Sequence, residues 1–216
     1  MLVGVAFLVL IAIATLNTIS TNSGGTLGVS GDDRGIPLQE FAVPDARGQL
    51  EGDANIAQDD CSTSQNPCPS DSRRTPACEI QEPGAIRVCD FFNRPLVISF
   101  WFTTGADCLP TQDVVDRVAR RYRGRVNFLS INVRDDRNEV RRIIEERDWR
   151  IPVGYDADGA VSDLYRVGGC PTVAFAYPGG ILAFAKARVP DVTQARLTRD
   201  LERLLRSSRE RARRDR

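Results

Sequence analysis

From residue 94 onward the chain alternates between two spacings of apolar residues. Leu96 to Phe102 is apolar except at Ser99, the mark of a strand covered on both faces. Thr111 to Tyr122 changes to helical spacing, with Val114, Val115, Val118 and Tyr122 on one side. Val126 to Val133 reads as a second buried strand, and Asn138 to Trp149 as an amphipathic helix with Val140, Ile143 and Ile144 inward. Val161 to Tyr165 fits a short helix. Thr172 to Tyr177 and Ile181 to Ala187 are strands joined by Pro178-Gly179-Gly180, and Val192 to Leu205 closes the pattern as a helix with Leu197, Leu201, Leu204 and Leu205 inward. Strands alternating with helices, then a hairpin and a last helix, predict an α/β domain with a central sheet flanked by helices.

The N-terminal part obeys other rules. Met1 to Leu16 carries no charge, and Thr15 is its one polar residue. With the apolar stretch extending to Ile19, its length approaches the ~20 residues that cross a bilayer. Residues 1–20 are therefore expected to be a transmembrane anchor, with a cleaved export signal as the alternative. Either one exports the rest of the chain. Residues 21–35, rich in Ser, Thr and Gly, read as a flexible linker. Phe41 to Leu50 is expected to form a strand, a turn at Asp45–Gly48 and a return strand. Residues 58–92 read as a Cys-rich insertion, and 207–216 as a basic tail, a frayed helix end or a membrane- or partner-facing segment.

Composition narrows the chemistry. The 29 basic and 29 acidic residues balance, so no net field draws the chain to nucleic acid. There is no His, which removes the commonest general base and metal ligand. Lys186 is the sole Lys, and the preference for Arg is read as a compositional trait before a functional one. The Arg120, Arg121, Arg123 group and the Arg141, Arg142 pair read as solvated helix faces. Six cysteines remain: Cys61, Cys68, Cys78, Cys89, Cys108 and Cys170. An even count in an exported chain suggests disulfides. Pro83-Gly84 fits the centre of a type II turn, and folding Cys78–Cys89 back on it sets the two cysteines opposite each other. That leaves Cys61 with Cys68. The spacings are wider than a zinc site's usual C-x2–4-C pairs, so no metal and no cofactor is expected.

Three ordered stretches resemble the TlpA/ResA-like branch of thioredoxin-fold proteins, which are membrane-tethered thiol–disulfide oxidoreductases. They are the opening around Phe41-Ala42-Val43-Pro44-Asp45, the run from Pro95 to Cys108, and Tyr165 to Phe175 with Pro178-Gly179-Gly180 after it. The resemblance covers about 36 to 205 and implies a thioredoxin-like domain over 36–206. It also implies an extracytoplasmic position on a single-pass anchor, and a protein thiol or disulfide, or a membrane redox partner, as the target it acts on. The active-site motif departs from the family's W-C-x-x-C. Its first Cys falls at Gly105, its second at Cys108, the Trp at Thr104, and the family's buried carboxylate at Ser99.

The resemblance makes Pro171 the cis-proline and sets Cys170, just before it, near Cys108. The expected site is a relocated redox pair, Cys108 with Cys170, beside Pro171. A helix N-terminus lowers a thiol's pKa, whereas Asp107 opposes it, so a slowly exchanging bridge is expected. Two alternatives stand beside it. One is a redox-inactive thioredoxin-fold binding module braced by disulfides. The other is a peroxiredoxin-like thiol peroxidase using Cys108, although that motif wants Thr or Ser where Gly105 stands.

Overall fold

A computed structural model describes residues 35–52, 62–63, 66–67, 75–105, 107–187 and 192–214. The expected anchor, nearly all of the linker, Cys61, Cys68 and part of the insertion lie outside them. Among the described residues no helix is long and apolar enough to cross a membrane.

The elements in chain order are β1 (Ala42–Pro44), β2 (Ser62–Thr63), β3 (Asn66–Pro67), β4 (Ala85–Arg87), β5 (Leu96–Trp101), α1 (Leu109–Arg121), β6 (Asn127–Val133), α2 (Arg137–Glu146), β7 (Val153–Asp156), α3 (Ala160–Leu164), β8 (Thr172–Tyr177), β9 (Ile181–Ala187) and α4 (Gln194–Arg214). Five strands form one sheet in the order β7-β6-β5-β8-β9. β5, β6 and β7 run parallel, whereas β8 is antiparallel to both β5 and β9. β2 pairs antiparallel with β3, apart from the sheet.

β5 sits at the centre, which explains its apolar run. Val97 and Trp101 enter the cluster under α1, α2 and α4. Leu96, Ile98 and Phe100 enter the opposite cluster with Phe41, Val43, Val161 and Tyr165. Alternate side chains thus serve two cores, and Ser99 is the one polar interruption. On α1, Val115, Val118 and Tyr122 are buried while Val114 is half-buried.

The opening segment differs from its expected hairpin. Asp45 accepts the Gly48 amide, so the turn forms, but no return strand appears through Gly52. β1 pairs with β4 instead, Val43 opposite Ile86. The turn is held by distant arginines. Arg137 donates to the Asp45 and Gly48 carbonyls, and Arg141 to those of Ala46 and Gly48. Arg141 is therefore not part of a solvated face, whereas its neighbour Arg142 pairs with Glu139 and Glu146 on the exposed side of α2. Close approach is possible because β7 carries Gly154. A Cβ there would lie 2.5 Å from Val43 Cγ2 and 2.8 Å from Ile131 Cδ1.

The Cys78–Cys89 segment is also a turn without its ladder. Gly84 has φ +88° and the Ala85 amide donates to the Glu82 carbonyl at 3.1 Å, as a type II turn requires. Yet both cysteines sit in short 3-10 turns, Ala77–Glu79 and Val88–Phe91. The returning strand is consumed by β1. The two cysteines are nonetheless bonded, with Cα atoms 5.8 Å apart. The last helix outruns its apolar pattern, since α4 continues to Arg214.

Asp156 ends β7 with its side chain buried and accepts the amides of Val161 and Ser162 at 3.1 and 2.8 Å. Burial pushes its carboxyl up to about 6, above the usual 3.8, against the pull of those two amides. The folded state therefore binds this proton more tightly than the unfolded chain. Its contribution is most favourable below about pH 4 and is lost as pH rises through about 6. Urea denaturation of wild type and Asp156→Asn, compared at pH 4 and pH 7, tests this. The stability of wild type relative to the variant should fall by on the order of 2 kcal/mol between the two, and a constant difference would refute it.

Candidate active site

Sheet register decides where the site lies. Phe100 on β5 pairs with Thr172 on β8, so the loop leaving β5 and the loop entering β8 meet at one edge. The first ends at Cys108, which caps the 13-residue α1. The second ends at Cys170, joined to Pro171 by a cis peptide. Cys108 and Cys170, 62 residues apart in sequence, are bonded to each other, with Cα atoms 5.9 Å apart. Pro171 is half-buried beside them, and Thr172 Oγ1 donates to the Gly169 carbonyl at 2.6 Å, closing the loop under it.

The two sulfurs differ in access. The Cys108 side chain is buried, with 1% exposure, whereas Cys170 is partly exposed. Thr104, Gly105 and Asp107 are exposed, and Gly105 has φ +84°. Where the family places its outward cysteine, this chain has a glycine in left-handed backbone. No Lys or Arg occurs between Phe102 and Asp116. Pro110 occupies the second helical position of α1, which removes one of the amides that a thiolate at Cys108 would use.

Below the bridge, Ser99 Oγ donates to Gln112 Oε1 at 3.0 Å. Both residues are buried, and Gln112 Nε2 has no partner among the described residues. A neutral pair with one unspent donor thus replaces a buried carboxylate. It cannot take up a proton near neutral pH as a carboxylate can.

A latch that the sequence pattern does not predict holds the β5–α1 loop. Asp135, 6% exposed, accepts from the Thr103 amide at 2.8 Å and from its hydroxyl at 2.8 Å. Asn132 Nδ2 donates to the same carboxyl at 2.7 Å, and Tyr155 donates to the Asp135 carbonyl. Nothing in the local pattern marks Asp135, because its partner lies 32 residues away.

No family model matches the chain. The fold is that of thioredoxin-like proteins, and solved structures agree. A DsbF homologue from Corynebacterium diphtheriae superimposes with TM-score 0.57 at 15% identity, covering 86% of this chain and 94% of that one. A thiol:disulfide interchange protein from Bacteroides sp. gives 0.55 at 12%, covering 80% and 90%. Among curated proteins, the thiol–disulfide oxidoreductase ResA of Oceanobacillus iheyensis is 24% identical over 120 residues, 55% of this chain. The matched part spans 59% of that relative's length. The chain has a thioredoxin-like fold, and the curated relative it matches is a thiol–disulfide oxidoreductase.

The Asp135 latch makes a testable demand. Asp135→Ala removes the acceptor of two bonds to Thr103, charge-assisted and poorly solvated, a loss of about 1–3 kcal/mol. Hydrogen exchange at 102–105 should accelerate while the amides of β6 and β8 stay protected. Unchanged exchange in the loop would show that the latch does not order it.

Proposed function

We propose that the protein is a thiol–disulfide exchange protein that works through the Cys108–Cys170 bridge, outside the cytoplasm, with residues 1–20 as its membrane anchor. The observation that carries this is the bridge itself. It joins the helix cap and the cis-proline loop, with Cys108 buried and Cys170 partly exposed. Homology to a thiol–disulfide oxidoreductase supports the same reading.

The burial difference orders the steps. An incoming protein thiolate attacks Sγ of Cys170, the partly exposed cysteine. A mixed disulfide forms at Cys170, the Cys108–Cys170 bond breaks, and its electron pair leaves on Cys108 as a thiolate at the start of α1. A second thiolate of the substrate then attacks the substrate's own sulfur in the mixed disulfide. It releases Cys170 and leaves the substrate oxidised by two electrons. In the reverse direction Cys170 attacks a substrate disulfide and Cys108 resolves it. Loss of one helical amide at Pro110 and of a buried proton acceptor at Ser99 both weaken Cys108 as a leaving group, so exchange is slow.

The peroxidase alternative gains no support, since Cys108 is buried and bonded. The binding-module alternative is separated by experiment. A model dithiol should be oxidised by wild type, and Cys108→Ser mixed with a model disulfide such as oxidised glutathione should accumulate a mixed disulfide on Cys170, one glutathione thiolate leaving, seen by mass spectrometry. Cys170→Ser should trap nothing and show at least a hundred-fold slower exchange. Both variants lose a long-loop bridge, about 2–4 kcal/mol, so retention of fold is checked by circular dichroism. A wild-type bridge that stays unreduced by glutathione, with no trapped adduct in Cys108→Ser, would leave the braced binding module as the function.

A further inference from the structure

The end of the sheet opposite the disulfide carries a second, unassigned surface. β5 runs away from this end, with Leu96 paired to Asn127 and to Ala176. A cavity of about 230 Å³ opens there, and Arg94, Arg120, Arg123 and Arg150 contribute to its wall without any Asp or Glu. Arg120 is bound by Asp116 and Asp148, and Arg150 by Asp148, from outside the cavity. Arg94 and Arg123 are exposed, and neither is ion-paired with a carboxylate among the described residues. Four guanidinium groups against two carboxylates leave a local excess of positive charge in a chain whose total is zero.

Two further features arrive at the same end. Gly179 donates to the Phe92 carbonyl, which places the β8–β9 turn beside Arg94. The N-terminal side of the domain joins there too, with Pro37 bridged to Ile181 and the Gly35 amide bonded to Leu182. Ile36, 46% exposed, is the large apolar residue left uncovered among those described. α4 points the same way. Leu197 lines a cavity with Val173 and Phe175, whereas Arg211 lies over the ring of Tyr177 at 5.4 Å. Its exposed last turns carry Arg209, Arg211, Arg213 and Arg214 against Glu210.

We propose that this arginine-rich end of the sheet docks on an anionic bilayer surface through its phosphate headgroups, turning the Cys108–Cys170 edge away from the membrane. The proposal rests on the reading that residues 1–20 hold the chain at a membrane. The linker from that segment reaches the domain at Gly35, on the docking end. Charge and shape select the occupant. Guanidinium groups pair bidentately with phosphate, each arginine near an anionic surface adds to binding, and a flat lipid surface can meet the cavity, Ile36 and the α4 tail together. β5 spans roughly 20 Å at ~3.3 Å per residue, so docking would lift the redox edge by about that distance, where a soluble protein thiol can reach Cys170.

The test uses the full chain in lipid nanodiscs, neutral phosphatidylcholine against discs containing phosphatidylglycerol, read by hydrogen exchange. Amides of 92–94, 123–126 and 206–214 should be more protected on the anionic discs, and high salt should remove the difference. Arg94→Gln with Arg123→Gln should lower the docking equilibrium constant by about thirty-fold, while attachment to neutral discs is unchanged. Equal exchange on both discs overturns the docking surface and leaves the anchor standing. A chain that washes off neutral discs, yet sediments with anionic vesicles in an Arg94- and Arg123-dependent way, overturns the anchor and supports the docking surface. Protection reproduced on neutral discs by millimolar inorganic phosphate overturns the bilayer as occupant and assigns the cavity to a small free anion.

Discussion

The antiparallel pairing of β5 with β8 organises this molecule. Phe100 opposite Thr172 is the last pair of that ladder, and it brings two loops that are far apart in sequence to one edge. The chemistry of the chain depends on that meeting. Cys108 reaches the edge because α1 begins there, Cys170 because β8 begins there. Without the pairing the two thiols are separated by a loop of about sixty residues, whose closure alone costs several kcal/mol. The bridge in turn ties the helix cap to the cis-proline loop, so the site and the centre of the sheet stabilise each other.

The site is a thioredoxin-like edge with its usual parts redistributed. The outward sulfur is supplied by Cys170, one residue before Pro171, rather than by the position where Gly105 stands. The buried sulfur stays at Cys108, under the start of α1. The proton-accepting role beneath it has no carboxylate, only Ser99 and Gln112 in a neutral pair. Under the proposed exchange reaction, each change would lower the reactivity of Cys108 and leave Cys170 as the point of attack.

Arginine does much of the long-range joining. Arg137 and Arg141 gather the carbonyls of the opening turn, and Arg47 donates to the carbonyls of Trp149 and Ile151. A planar five-donor group bonds several carbonyls at once, which a lysine cannot do in one plane. The same residue type at the far end of the sheet is left partly without carboxylates, and there the charge faces outward.

Most elements from 94 to 205 were legible in the sequence because burial marks them, by a continuous apolar run for β5 and β6 and by a 3.6-residue period for α1, α2 and α4; the short edge strand β7 (Val153–Asp156) was not, since four residues are too few to show a period. The strand bounds of β8 and β9 match the apolar pattern, since Pro178-Gly179-Gly180 breaks it sharply. The cis-proline loop and its neighbouring cysteine were legible through family resemblance. Other features depended on tertiary structure. The hairpin expected after Asp45 and the ladder expected around Pro83-Gly84 both failed for one reason: β1 and β4 found each other instead. Local turn chemistry was right in both cases, but strand pairing is a competition over the whole chain, and sequence period does not name the partner. The Asp135 latch and the arginine cavity were invisible for the same cause, because their members come from separate elements. The sequence by itself determined most of the strands and helices after residue 94 and which residues hold sulfur, through patterned burial and composition. Only the folded sheet decided the pairing of the short strands, which cysteine stays partly exposed and which end of the molecule carries the charge.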